Sequence, residues 1–216
     1  MKGQIAQADN VRAALAPWLN VIRRLNTVGL QHYPGSPVLA AEMMRKDDAL
    51  RLCELHPPSA ELLRQAMGRD KRVKIEERDG FDALAAYLPP PERRGLVLID
   101  PPYEVKTDYR TVLTALKECL RRFATGTYVV WYPRLTTMHA RELPEKLKRL
   151  PLDSWLHVSL DVKKPSEDGF GMHGSGLFVI NPPWTLPETL KTVLPWLKDV
   201  LAQDDGADFV LESQIP

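Results

Sequence analysis

Asp100, Pro101, Pro102 and Tyr103 stand together directly after the apolar run Leu96 to Ile99. A carboxylate followed by a backbone carbonyl is a pair of hydrogen-bond acceptors, the set needed to grip an amine. The exocyclic amine of adenine is a poor nucleophile because its lone pair is delocalised into the ring. Acceptors that draw it toward a tetrahedral geometry make it reactive, and Asp100 with the Pro101 carbonyl supplies two. Proline fixes the backbone torsion and removes competing N–H donors, which holds that carbonyl in place. The Tyr103 ring is a candidate to stack on a base taken out of its helix. The implied chemistry is methylation of a planar amine by direct in-line transfer. It needs no metal and no covalent enzyme intermediate, and proximity and orientation supply much of the acceleration.

A second stretch, Asn181, Pro182, Pro183 and Trp184, repeats the pattern with a neutral amide. It follows the last strands of the chain and is expected to be a structural exit. Gly169, Gly171 and Gly174 spell a literal G-x-G-x-x-G. A strand rather than a helix follows them, so a hairpin loop is expected instead of a phosphate cradle. The 5 histidines show no metal-ligand spacing. Cys53 and Cys119 lie in apolar segments and read as inert thiols of a reducing compartment.

The elements that must position Asp100 are legible in the apolar pattern. Trp18, Val21, Ile22 and Leu25 recur at helical spacing, with Gly29 placed to end the run. Ser36 and Pro37 have the chemistry of a helix N-cap and first helical residue. From about residue 49 onward short apolar segments alternate with helical ones, the signature of a mostly parallel sheet covered by helices. The segments Ser154 to Val162 and Ser175 to Asn181 flank a Gly-rich loop and read as an antiparallel hairpin at the sheet edge. A helix and an acidic tail follow.

In such sheets ligands sit beyond the carboxyl ends of the strands. Glu54 and Asp79 stand at two further strand ends. Either acid suits the cap of the helix that follows it. Equally, Glu54 suits the ribose hydroxyls of a nucleotide, and Asp79 with Gly80 suits an adenine amine approached by bare backbone.

Lys plus Arg number 29 and Asp plus Glu 28, a net charge of +1 that does not announce a nucleic-acid binder. Basic clusters at Arg23 and Arg24, Arg69 to Lys74, Arg93 and Arg94, Arg121 and Arg122, and Lys146 to Arg149 are either solvated helix flanks or parts of a basic face. Apolar runs are too short to span a bilayer and the first residues lack the order of a signal peptide, so a cytoplasmic protein is expected.

The residues "HYPGSP", "CELHP", "RDGF", "RRGLVLIDPPYEVKTDY", "RRFATGTY", "WYP", "VINPPW" and "VLPWL", in this order, resemble the ribosomal RNA large subunit methyltransferase J family along essentially the whole chain. The resemblance implies S-adenosyl-L-methionine as cofactor, N6 of one adenine of 23S ribosomal RNA (adenine 2030) as target, and a monomer without membrane or metal. It makes Asp100 the catalytic residue, with Pro101, Pro102 and Tyr103 completing the target pocket. Ser36, Glu54, Asp79 and Gly80, with Asp100, match positions that contact the cofactor. The implied fold is a Rossmann-like class I methyltransferase α/β sheet over residues 49–216, preceded by a helical subdomain over residues 1–48. Family members begin with a further segment carrying the first strand and its glycine loop. Met1 falls after that segment, so an N-terminally truncated member is expected, with the strands ending at Glu54 and Asp100 each left unpaired on one side. The alternatives are a DNA adenine-N6 methyltransferase and a noncatalytic RNA-binding remnant.

Overall fold

The computed structural model describes residues 2–215, with side chains from residue 8 onward. The chain forms two compact units, the first ending at Ala86 and the second beginning at Tyr87.

The first unit opens with α1 (Lys2–Leu25), which continues through Pro17. Val21 is buried, and Trp18, Ile22 and Leu25 are half-buried, as their spacing predicts. Asn26 ties off the helix end: its amide donates to the Ile22 and His32 carbonyls, and its oxygen accepts from the Gln31 and His32 amides. Helix α2 (Ser36–Met43) has Gly35 as its N-cap, so Ser36 is the first helical residue instead of the cap. Two parallel strands follow, β1 (Leu50–Glu54) and β2 (Val73–Glu77), paired from Leu50↔Val73 to Glu54↔Glu77. Between them α3 (Pro57–Met67) buries Ala60 and Met67, and after them comes α4 (Gly80–Tyr87).

The second unit is built on a five-stranded sheet in the order β3-β4-β6-β5-β7, with β3 at Leu96–Ile99, β4 at Thr127–Arg134, β5 at Trp155–Asp161, β6 at Gly174–Ile180 and β7 at Asp208–Gln214. Only β3 and β4 run parallel in it; every pairing from β4 outward to β7 is antiparallel. The expected hairpin β5–β6 is present but interior, because β6 enters between β4 and β5. The acidic tail is β7, which closes that side: Phe209 and Leu211 turn inward onto the cluster of Leu156, Val158, Val179 and Leu194. Helix α5 (Lys106–Arg122) buries Tyr109, Val112, Leu116 and Cys119, one stripe at helical spacing. Helices α6 (Met138–Lys148) and α7 (Leu186–Leu201) complete the cover.

Strand directions fix which residues share an end of the sheet. β3, β4 and β5 all run the same way, so their carboxyl ends lie with the start of β6, where Arg134 and Asp161 both pair with Gly174. Among the described residues β1 pairs only with β2, and β3 only with β4. The two one-sided strands expected from the sequence are therefore present.

Candidate active site

Asp100 is the first residue beyond β3 and reaches solvent. Among the described residues its carboxylate has no hydrogen-bond or ion-pair partner. Protein mass around it displaces water, and this desolvation raises its pKa above the ordinary carboxylate value. Pro101 is half-buried and Pro102 exposed.

Tyr103 closes the corner in an unexpected way. Its backbone adopts φ 54, a left-handed conformation that non-glycine residues enter at a cost. The hydroxyl donates to the Trp131 carbonyl at 2.7 Å, and the ring packs 4.7 Å from Tyr109 and 6.2 Å from Trp131, centroid to centroid. Only 6% of the residue is exposed, and burial, first among several causes, pushes the phenol pKa far up. In this conformation the ring is a bracket that holds the corner, with little face left for a base. Tyr109 and Trp131 supply that bracket. The sequence marks Tyr109 only as one residue of an apolar helical stripe.

The twin motif shows what a purely structural exit looks like. The Asn181 amide donates to the Ala124 and Gly126 carbonyls at 2.7 and 2.8 Å, and its oxygen accepts from Ser154 at 3.3 Å. Its backbone, also left-handed at φ 52, bonds Ser154 and Thr127. β6 runs antiparallel to β4, so Asn181 sits at the end of the sheet opposite Asp100. Asn181 is a latch between loops, and Trp184 beside it is 83% exposed.

In the first unit Glu54 is the last residue of β1, and Asp79 lies just beyond the carboxyl end of the neighbouring β2. Glu54 accepts the His56 amide through Oε1 at 2.8 Å. Asp79 accepts the Phe81 amide through Oδ1 at 2.7 Å, and its carbonyl accepts from Ala83, which makes it the cap of α4. Each carboxylate uses one oxygen for the turn and, among the described residues, keeps the other uncommitted. A Cβ on Gly80 would meet nothing closer than Cys53 at 3.7 Å, so the backbone there is open to approach. Free acceptors beside bare backbone fit an adenosine moiety, which presents ribose hydroxyls and an amine as donors. Ser36 is exposed at the start of α2, away from any cap role.

Many members of the basic clusters are spent on ion pairs. Arg24, Arg72, Lys74, Arg121, Arg122, Lys146 and Lys148 each pair with a nearby carboxylate. The 2.6 Å contact with Arg72 holds Asp70 down at a pKa of about 2.

The chain is 44% identical over 199 residues to the ribosomal RNA large subunit methyltransferase J of Escherichia coli (strain K12), covering 92% of this chain and 71% of that protein. Against the Haemophilus influenzae (strain ATCC 51907 / DSM 11121 / KW20 / Rd) protein of the same name the identity is 40% over 212 residues, covering 97% and 75%. The crystal structure of protein LPL1258 from Legionella pneumophila str. Philadelphia 1 superposes with a TM-score of 0.84 at 36% identity, over 92% of this chain and 73% of that one. The fold is thus the α/β, Rossmann-like class I methyltransferase fold with an N-terminal helical subdomain. The profile of the family described as "Ribosomal RNA large subunit methyltransferase D, RlmJ" matches residues 2–211, and the chain belongs to that family.

Proposed function

We propose that the protein transfers the methyl group of S-adenosyl-L-methionine to N6 of a specific adenine in 23S ribosomal RNA, with Asp100 as the acceptor that activates the amine. One observation carries the assignment. Of two nearly identical strand exits, Asn181 spends its side chain on the fold, whereas the Asp100 carboxylate is open to solvent and without a partner among the described residues. The names of the two curated relatives support the RNA substrate.

When bound, the cofactor supplies an electrophilic methyl carbon on a sulfonium. The chain's part is to bind and orient. Asp100 and the Pro101 carbonyl accept the two N–H bonds of the adenine amine, which localises the nitrogen lone pair toward the incoming carbon. With the cofactor bound, its sulfonium would give up the methyl carbon and keep the carbon–sulfur electron pair, while Asp100 and the Pro101 carbonyl would hold the amine until it releases one proton to solvent. Pro101 and Pro102 keep the carbonyl from swinging away, and the buried Tyr103 bracket holds the corner from below. Ser36, Glu54, Asp79 and Gly80 are assigned to the cofactor, Glu54 through its free oxygen to the ribose hydroxyls and Asp79 to the adenine amine. A ribosomal RNA substrate implies a cytoplasmic enzyme.

The test is transfer of labelled methyl to protein-free 23S RNA and to duplex DNA. Transfer to the RNA alone, lost in Asp100→Asn with cofactor affinity retained, is the expected result. Equal labelling of duplex DNA would turn the assignment into a DNA adenine methyltransferase. Transfer that persists undiminished in Asp100→Ala would remove Asp100 from the mechanism, and its absence from the unsubstituted protein would favour a noncatalytic RNA-binding role.

A further inference from the structure

Two cavities flank α6 in the second unit. The first, about 390 Å³, lies between α5 and α6 and carries Lys106 and Arg110 from the first turns of α5. The second, about 220 Å³, is lined from the carboxyl ends of β4 and β5 and carries Arg141 and Lys163. Lys106 follows the exit of β3, Arg141 that of β4 and Lys163 that of β5, so these cations belong to the end of the sheet that holds Asp100.

The ion-pair pattern singles them out. Around the same cavities Lys146 is held by Glu142, Arg134 by Asp161, and Lys164 by Asp205. Among the described residues none of Lys106, Arg110, Arg141 and Lys163 has a carboxylate partner. The second cavity also contains His173, 7% exposed, whose Nδ1 is buried without a hydrogen-bond partner. Asp161 faces its other nitrogen at 3.7 Å.

The loop between β5 and β6 adds an aromatic ring. Phe170 is 80% exposed, yet it does not sit on a slack segment. The Phe170 amide donates to Asp168, its carbonyl accepts from Ser166, and the neighbouring Gly169 bonds Ser166 and Thr136. The turn is built to hold a large apolar ring in water, which hydrophobic burial alone disfavours. Glu167 and Asp168 on the same turn oppose an anion there, so the ring is suited to a base and the cavities to phosphates.

We propose that this end of the sheet is the track of a single RNA strand: phosphates seat against Lys106 and Arg110 on one side of α6 and against Arg141 and Lys163 on the other, while Phe170 stacks on a flanking base. The track rests on the RNA reading above and extends it from the target amine to the neighbouring nucleotides. A strand so gripped has its backbone held on both sides of α6, leaving an unstacked base free to be presented to the corner.

Fluorescence anisotropy with a labelled single-stranded RNA of about 12 nucleotides tests it across a salt series. Each double variant, Lys106→Ala with Arg110→Ala and Arg141→Ala with Lys163→Ala, is expected to weaken binding about 20-fold at 0.1 M salt. Each should also flatten the slope of log affinity against log salt by roughly 1.4. Lys117→Ala with Arg149→Ala removes the same charge near the far ends of α5 and α6 and should leave both quantities within about twofold of the parent. Phe170→Ala should weaken binding about tenfold with the slope unchanged. Equal loss in the Lys117 and Arg149 control, or unchanged affinity in both cavity variants, would overturn the track. So would displacement of the RNA by polyglutamate at equal charge concentration, which would point to an acidic protein. Asp100→Asn separates this result from the reading beneath it: the variant should bind RNA normally and fail in methyl transfer. Normal transfer by it would sink the catalytic reading and leave the track standing.

Discussion

At Asp100 the surrounding protein disfavours the charged form, so the carboxyl holds its proton to a higher pH than a free aspartate would. Only the ionised form accepts both ways from an amine. Single-turnover methyl transfer should therefore be flat around neutral pH and fall through one ionisation on the acid side, at a pH above the usual ~3.9. Asp100→Asn should abolish that limb along with the activity. The linkage sign adds a second expectation. A carboxyl whose folded pKa is raised favours folding below its unfolded pKa, and loses that contribution as pH rises through the folded value. At pH 7 the ionised Asp100 is a mild burden, and Asp100→Asn should melt no lower than the parent in calorimetry. Asn181 is the reverse case. Asn181→Ala strands the carbonyls of Ala124 and Gly126 and should cost about 1–3 kcal/mol in urea denaturation, with methyl transfer per folded molecule unchanged.

Among the elements, β4, β5, β7 and α6 are joined by a polar chain that runs from the core out to the surface. The Tyr132 hydroxyl lies 2.7 Å from His157 Nε2, His157 Nδ1 lies 3.1 Å from Glu212, and Glu212 lies 2.6 Å from Lys148. With Glu212 accepting from Nδ1–H, Nε2 accepts from the tyrosine. Burial, the largest cause, lowers the His157 pKa against the opposing pull of Glu212, and His173 shifts the same way, again chiefly by burial. Histidines depressed in the folded state contribute stability that is complete above the unfolded pKa of ~6.5 and drains as pH falls through the folded values. The free energy of unfolding should thus drop on acidification below about pH 6.5. His157→Gln should flatten the slope in equilibrium denaturation at several pH values. Beneath Tyr132 lies its strand partner Gly176, where an added Cβ would meet the tyrosine ring. Gly176→Ala should cost about 1–3 kcal/mol by overpacking, read from the shift in denaturation midpoint.

For the whole molecule, strand neighbours rank local stability. Among the described residues β4, β6 and β5 are paired on both sides, whereas β1, β2, β3 and β7 are paired on one. Hydrogen exchange should be slowest in the first group, and the outward amides of β3 should exchange early. Leu96 and Leu98 on β3 are 67% and 44% exposed, so this edge also presents apolar side chains to water. The division into two compact units separates the assignments experimentally. Glu54→Ala in the first should weaken S-adenosyl-L-methionine about tenfold in isothermal titration, the loss of one charge-assisted hydrogen bond. RNA affinity should be unaffected. An unchanged cofactor affinity would remove Glu54 from the site.

Much of this molecule is written in local patterns. The stripes of α1 and α5, the strands β1 to β6, the acids at three strand ends and the rigid corner after Asp100 follow from side-chain spacing and from the torsions of proline. These depend on neighbours a few residues apart. What sequence order alone left open was settled by partners far along the chain. Asn181 became a latch because it meets carbonyls 55 and 57 residues away. Lys148, which local spacing already pairs with Glu145, was also tied to Glu212, 64 residues on. The acidic tail became β7 because β5 offered an open edge and an apolar face. Tyr103 turned inward because Trp131 and Tyr109 supplied an acceptor and a packing surface. Strand direction, ion pairing and burial of a ring depend on what lies opposite in space, so only the folded chain could show Asp100 open to solvent where Asn181 is spent on the fold, and tell the cations that lack a carboxylate partner among the described residues from the paired ones.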